Sequence, residues 1–224
     1  MKKYLKPLYI KKKKSWLLLT ATALFGFAAF TAFRDPINRF DNNVFNLITP
    51  HITESRTRVM KFITFYGNHG FLIPANILLV LFFIIKKDKW LSITTGVVAL
   101  SSLGLMSILK NVTQRHRPSD PLVPGITNFS FPSGHAFMSV AFYGLLIWLT
   151  IYYMSAGWKR YAINSFLMLV ILVIGFTRVY LRVHYASDVI AGYCAGILWL
   201  LFCLIMMQQI QLHYKKKEDI RQGL

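Results

Sequence analysis

The chain has 224 residues, of which 55% are hydrophobic, a mean hydropathy of +0.46 and a formal charge of +18 at pH 7. This balance is too apolar for an ordinary soluble domain, and the basic runs lack the interleaved aromatics of a nucleic-acid-binding surface. The bilayer is the expected solvent, and with no repeat or low-complexity linker the chain reads as one integral-membrane domain over 1–224.

A helical span needs about 20 mostly apolar residues, and six runs qualify: 16–33, 69–85, 91–109, 135–154, 162–180 and 187–207. The first follows the basic segment MKKYLKPLYIKKKK. Its apolar stretch exceeds a signal-peptide core and no small-x-small cleavage site follows, so it is expected to be a retained span. The segment from Arg34 to His69 is long for a helix connection, but Phe40, Val44, Phe45 and Ile48 in RFDNNVFNLI recur at helical spacing. A short amphipathic helix lying at the outer membrane surface is expected there, with structural packing or admission of a lipid substrate as alternative roles. KKDKW and SAGWKR make short inner turns, with Trp90 suited to anchoring at the interface.

With the N-terminus inside, 16 of the 26 Lys and Arg residues fall in short inner segments, as the positive-inside rule requires. Both termini are therefore expected to be cytoplasmic in a multi-pass plasma-membrane protein, with basic clusters touching anionic headgroups. Cys194 and Cys203 are nine apart, on opposite sides of one helix, and read as small core residues. The expected fold is all-α, a six-span transmembrane bundle.

Three pieces at the outer ends of the last four spans hold the unusual chemistry: KNVTQRHRP (110–118), PSGH (132–135) and TRVYLRVHYASD (177–188). Charges within a bilayer cost roughly 2.5 to 3.5 kcal/mol each at its centre, which makes Lys110, Arg178 and Asp188 at span edges functional candidates. Lys110 and Arg117 are seven apart, so a helix continuing through both would put them on one face, a mobile point charge beside a planar fork of donors. Arg115 and His116 are expected to be headgroup contacts. Pro132 and Gly134 disfavour helix before the fourth span and Ser133 is a good N-cap, which leaves free backbone N–H groups beside Ser133 and His135 where an anion binds well. His184 and Asp188, four apart, would let the carboxylate accept from one imidazole nitrogen and leave the other with a free lone pair. Each piece alone also fits a structural role, as interfacial cations, a helix cap and a hydrogen-bonded pair. Their joint occurrence on one face would then need three coincidences.

Lys110 with Arg117-Pro118, then Pro132-Ser133-Gly134-His135, then Arg178, His184 and Asp188 closely resemble the three-part signature of the type-2 phosphatidic acid phosphatase family. Thr177 departs from the serine that usually precedes the third motif's arginine. The resemblance implies His184 as nucleophile, Asp188 as its orienter and His135 as general acid, with Lys110, Arg117, Ser133, Gly134 and Arg178 binding phosphate. It implies a lipid phosphatase acting through a phosphohistidine at the outer face on undecaprenyl diphosphate, phosphatidylglycerol phosphate or phosphatidic acid. Three cations and a helix N-terminus can stabilise the transferring group, so no metal or cofactor is expected; the expected partners are the lipid phosphate substrate and the bilayer, with no nucleic acid and no obligate protein partner evident. A bell-shaped pH profile is expected. Rival readings are a phosphotransferase, a vanadium-dependent haloperoxidase, disfavoured because those enzymes are soluble, and a non-enzymatic transporter.

Overall fold

The computed structural model describes residues 12–34 and 39–221. These residues are helical with no strand: α1 (Lys12–Arg34), α2 (Arg39–Ile48), a 3-10 turn (Thr49–His51), α3 (Glu54–Phe65), α4 (His69–Ile85), α5 (Lys89–Thr113), α6 (Gly134–Tyr153), α7 (Trp158–Tyr180) and α8 (Ala186–Arg221). Five stretches are long and apolar enough to cross a membrane, namely Glu54–Ile85 and α5 to α8, and Leu18–Arg34 adds a shorter apolar segment. The six predicted runs fall in α1, α4, α5, α6, α7 and α8. Large apolar side chains such as Ile77, Leu78, Phe166 and Leu169 remain exposed on α4 and α7, which suits hydrocarbon and not water.

Local chemistry sets the boundaries. The side chains of Asn68 and Asp88 accept from the amides of Gly70 and Leu91 and so cap α4 and α5. Between those helices Lys87 takes a positive φ of 54° to make the tight KKDKW turn. α8 differs most from expectation: it continues 14 residues past the predicted end at 207, carrying KKK into the polar region and setting Tyr214 against Trp90, ring centroids 5.7 Å apart.

α6 is the centre of the bundle. Every residue from Ala136 to Tyr143 is buried, and the helix packs on both α7 and α8. Two glycines on α8 allow the approach: a Cβ at Gly192 would lie 2.6 Å from the Ser133 carbonyl oxygen, and one at Gly196 would lie 2.8 Å from Val140 Cβ. Small residues four apart are a common way for membrane helices to approach closely.

The amphipathic RFDNNVFNLI segment is α2. Its Val44, Phe45 and Ile48 pack on buried Ala136, Val179, Ala186 and Val189, so this part of the apolar face turns onto the bundle while Phe40 stays exposed. Asp41 of the same helix is fully buried.

Candidate active site

The C-terminal ends of α5 and α7 and the N-terminal ends of α6 and α8 meet at one end of the bundle. There a cavity of about 690 Å³ is lined by Lys110, Arg117, Gly134, His135, Arg178 and His184, with Lys61, Thr64 and His69 on the α3–α4 side. A larger and mostly apolar cavity of about 800 Å³ lies at the opposite end, beside Lys86, Trp90 and Tyr153, and holds none of the motif residues.

Lys110 and Arg117 reach this cavity by a different route from the one their spacing suggests. α5 stops at Thr113 because Gln114 is left-handed, with φ 48°, and donates its amide to the Lys110 carbonyl. Arg117 therefore lies on the loop beyond the helix. Asn128 compensates: its carbonyl accepts from Arg117 Nε at 2.7 Å and its side-chain oxygen from Nη2 at 2.6 Å. Arg117 Nη1 also donates to the Val183 carbonyl and stands 3.3 Å from His184 Nε2. Lys110 Nζ donates to the Phe129 carbonyl at 2.8 Å. Burial pushes Arg117 down to about 10, which leaves it charged at neutral pH.

The PSGH stretch follows a cis Phe131–Pro132 bond. Ser133 occupies the N-cap position of α6, but its hydroxyl makes no capping bond and its amide donates to the Asp188 carbonyl at 2.9 Å, so that amide is already used. The first three amides of α6, those of Gly134, His135 and Ala136, precede any intrahelical bond. Gly134 lies against Lys110: a Cβ there would sit 3.7 Å from Lys110 Cε. His135 Nε2, Ser133 Oγ and Arg178 Nε are buried polar atoms with no hydrogen-bond partner among the described residues. Buried polar atoms usually have a partner, so these three could serve a bound group.

Arg178, near the end of α7, is fixed by a 2.9 Å bond from Nη1 to Thr64 Oγ1 of α3. Thr177 returns its hydroxyl to the Ile174 carbonyl at 2.6 Å, a bond that serine could also make. After α7 the chain turns sharply, with Arg182 at φ 54° and the amides of Val183 and His184 both directed to the Arg178 carbonyl. His184 is thereby returned to the cavity just before α8 begins, at 1% exposure. Burial first, then Arg117, Arg178 and Lys110, hold its pKa well below 6.5, so the imidazole is neutral at pH 7. Asp188 is fully buried.

The residues 90–212 match the model of the PAP2 superfamily. The chain belongs to that superfamily. Among its relatives, phosphatidylglycerophosphatase B of Bacillus subtilis is 29% identical over 148 residues, 66% of this chain and 72% of that protein. Undecaprenyl-diphosphatase of Sulfolobus acidocaldarius is 28% identical over 177 residues, 75% and 79% of the two chains. The fold is that of the transmembrane PAP2 type phosphatidylglycerolphosphate phosphatase from Bacillus subtilis, with a TM-score of 0.77 at 21% identity over 86% of this chain and 96% of that one. LpxE of Aquifex aeolicus is more distant, with a TM-score of 0.54 at 24% identity, covering 72% and 93%.

Several residues of this PAP2 chain that the sequence did not single out shape the site. Asn128 and Thr64 hold two of its arginines. Ser130 lies between His184 and Asp188. Arg115, expected at the headgroups, is instead buried and bonded to Asp188 and Asp41. A single sequence gives no sign of these roles, because ordinary polar residue types meet here across long separations.

Proposed function

We propose that this chain is a membrane lipid phosphate hydrolase working through a phosphohistidine on His184. The observation that carries the reading is the shared cavity, where a neutral, buried His184 faces Lys110, Arg117 and Arg178 with His135 on the same wall. His184 Nε2 attacks phosphorus, a P–N bond forms, and the P–O bond to the lipid alkoxide or terminal phosphate breaks. His135 protonates the departing oxygen and then takes a proton from the water that cleaves the P–N bond, releasing inorganic phosphate. The three cations and the α6 amides surround the equatorial oxygens, where they stabilise the transition state without a metal. Ser133 Oγ, buried and with no hydrogen-bond partner among the described residues, adds a donor. Entering phosphate must first take the Arg117 Nη1 bond from His184 Nε2.

Leu103 and Met106 continue the cavity wall down α5 toward the membrane, a path for acyl or prenyl tails. Substrates of the named relatives, a phosphatidylglycerophosphate and undecaprenyl diphosphate, fit a pocket that reads phosphate more than tail. The termini are cytoplasmic and the site faces outward, as the lysine distribution favours. Phosphate release from a panel of lipid monophosphates and diphosphates, in detergent with EDTA and no acceptor, tests this reading. Free phosphate from at least one lipid is expected. Transfer that needs an added acceptor would make the protein a phosphotransferase, and activity restored only by Mg²⁺ would defeat the metal-free route.

A further inference from the structure

Asp188 makes no direct hydrogen bond to the imidazole it was expected to orient. His184 Nδ1 is 3.6 Å from Asp188 Oδ2, beyond a good hydrogen bond. Ser130 Oγ fills the gap, 3.3 Å from Nδ1 and 2.5 Å from Oδ2. The direction of each proton follows from the two ends of this chain of contacts, because a guanidinium only donates and a carboxylate only accepts. With Arg117 Nη1 3.3 Å away, His184 Nε2 is the acceptor, and a neutral ring then carries its proton on Nδ1. Ser130 Oγ accepts that proton's hydrogen bond and directs its own hydrogen to Asp188.

The carboxylate is fixed in turn. Arg115 Nη1 donates to Asp188 Oδ1 at 2.6 Å, and the Tyr185 amide donates to Oδ2 at 2.9 Å. Arg115 lies over the Tyr185 ring, 4.2 Å from its centroid, and its Nη2 reaches Asp41 Oδ2 of α2 at 3.0 Å. Asp41 also accepts from the amide and hydroxyl of Ser187, at 2.9 and 2.7 Å. The Ser130 amide donates to the Arg115 carbonyl at 2.8 Å, so the two ends of the α5–α6 connection, which carry these side chains, are joined by backbone as well. A buried carboxylate is costly unless both oxygens are satisfied, and here they are.

We propose that Ser130 and Arg115 are positioning residues for the reaction of His184. Ser130 conveys the negative charge of Asp188 to Nδ1–H and so fixes the tautomer whose Nε2 attacks, while Arg115, held from behind by Asp41, fixes Asp188. No proton leaves Nδ1. As the P–N bond forms at Nε2 the ring becomes positive, and the relay stabilises that charge in place. The proposal rests on His184 being the nucleophile.

The test combines ¹⁵N-histidine NMR of the full-length protein in detergent with kinetics of phosphate release, the His184 signals being those absent from His184→Ala. Wild-type protein at neutral pH is expected to show Nδ1 protonated and Nε2 bare; the opposite tautomer would overturn the proposal whatever the variants do. Ser130→Ala is expected to lower kcat about 10- to 100-fold with KM within twofold, the usual scale for a partner one step behind a reacting group, and to shift the ring signals toward a tautomer mixture. Ser130→Thr, which keeps the hydroxyl, should recover the wild-type ring signals, and Arg115→Lys should retain more kcat than Arg115→Gln. Wild-type kcat and ring signals in a folded Ser130→Ala would overturn the proposal. Full turnover by His184→Ala is a different failure, one that removes the nucleophile itself.

Discussion

The proposed chemistry depends on a histidine kept neutral by burial and three neighbouring cations. In the proposed mechanism the neutral ring attacks, so a pKa held below 6.5 keeps the nucleophile available at lower pH. We expect the acid limb of kcat/KM to lie below pH 6.5, measurable by phosphate release across pH 4.5 to 9; a limb centred above pH 7 would contradict the environment found for His184. Arg117 gives a second expectation. Its fork is pre-set by three acceptor groups, the Asn128 carbonyl and side chain and the Phe129 carbonyl, beside the Val183 carbonyl, a geometry that an ammonium cannot copy. Arg117→Lys should therefore lower kcat/KM about 10- to 100-fold despite its conserved charge, as judged against the one- to two-bond loss of about 1.5–3 kcal/mol. The motif residues were legible because their types and spacings are unusual. Ser130, Arg115 and Asp41 were not, since their partners lie 54 to 146 positions away and only the fold brings them together.

Helix placement was legible from the length of the apolar runs, and helix ends much less so. Nothing in the run from Leu109 to Arg117 announces that Gln114 turns left-handed, yet that turn puts Arg117 on a loop. Likewise α8 outlasts its apolar stretch because KKKEDIR is an adequate helix former outside hydrocarbon. The amphipathic character of α2 was evident, but not that Val44, Phe45 and Ile48 would cover the bundle while Asp41 enters it. The joint of α6 and α8 invites a direct test at Gly192. A methyl there meets the Ser133 backbone carbonyl at 2.6 Å, which cannot move without shifting the PSGH turn. Gly192→Ala should cost about 1–3 kcal/mol by overpacking and reduce turnover with it, visible as a lower Tm and a lower kcat in the same preparation. An unchanged Tm and kcat would mean that the two helices have slack at this contact.

For the whole molecule, the described residues form a bundle with a cation-lined cavity at one end and a mostly apolar cavity at the other. The orientation proposed from charge can be measured, because both native cysteines are buried and give little background. A cysteine at Ser119 should react with a membrane-impermeant maleimide in intact cells and one at Lys217 only after permeabilisation; the reverse pattern would turn the site to the cytoplasm. The bundle gathers helix ends that are distant in sequence around the buried imidazole of His184, and phosphorylation of that ring is the central step of the proposed reaction. The most direct measurement is an alkaline quench of the protein during turnover of a ³²P-labelled lipid phosphate, a condition under which phosphohistidine survives. Label on His184 that is absent from His184→Ala is the predicted result; an unlabelled wild-type protein during undiminished turnover, or equal labelling and turnover in the variant, would contradict it.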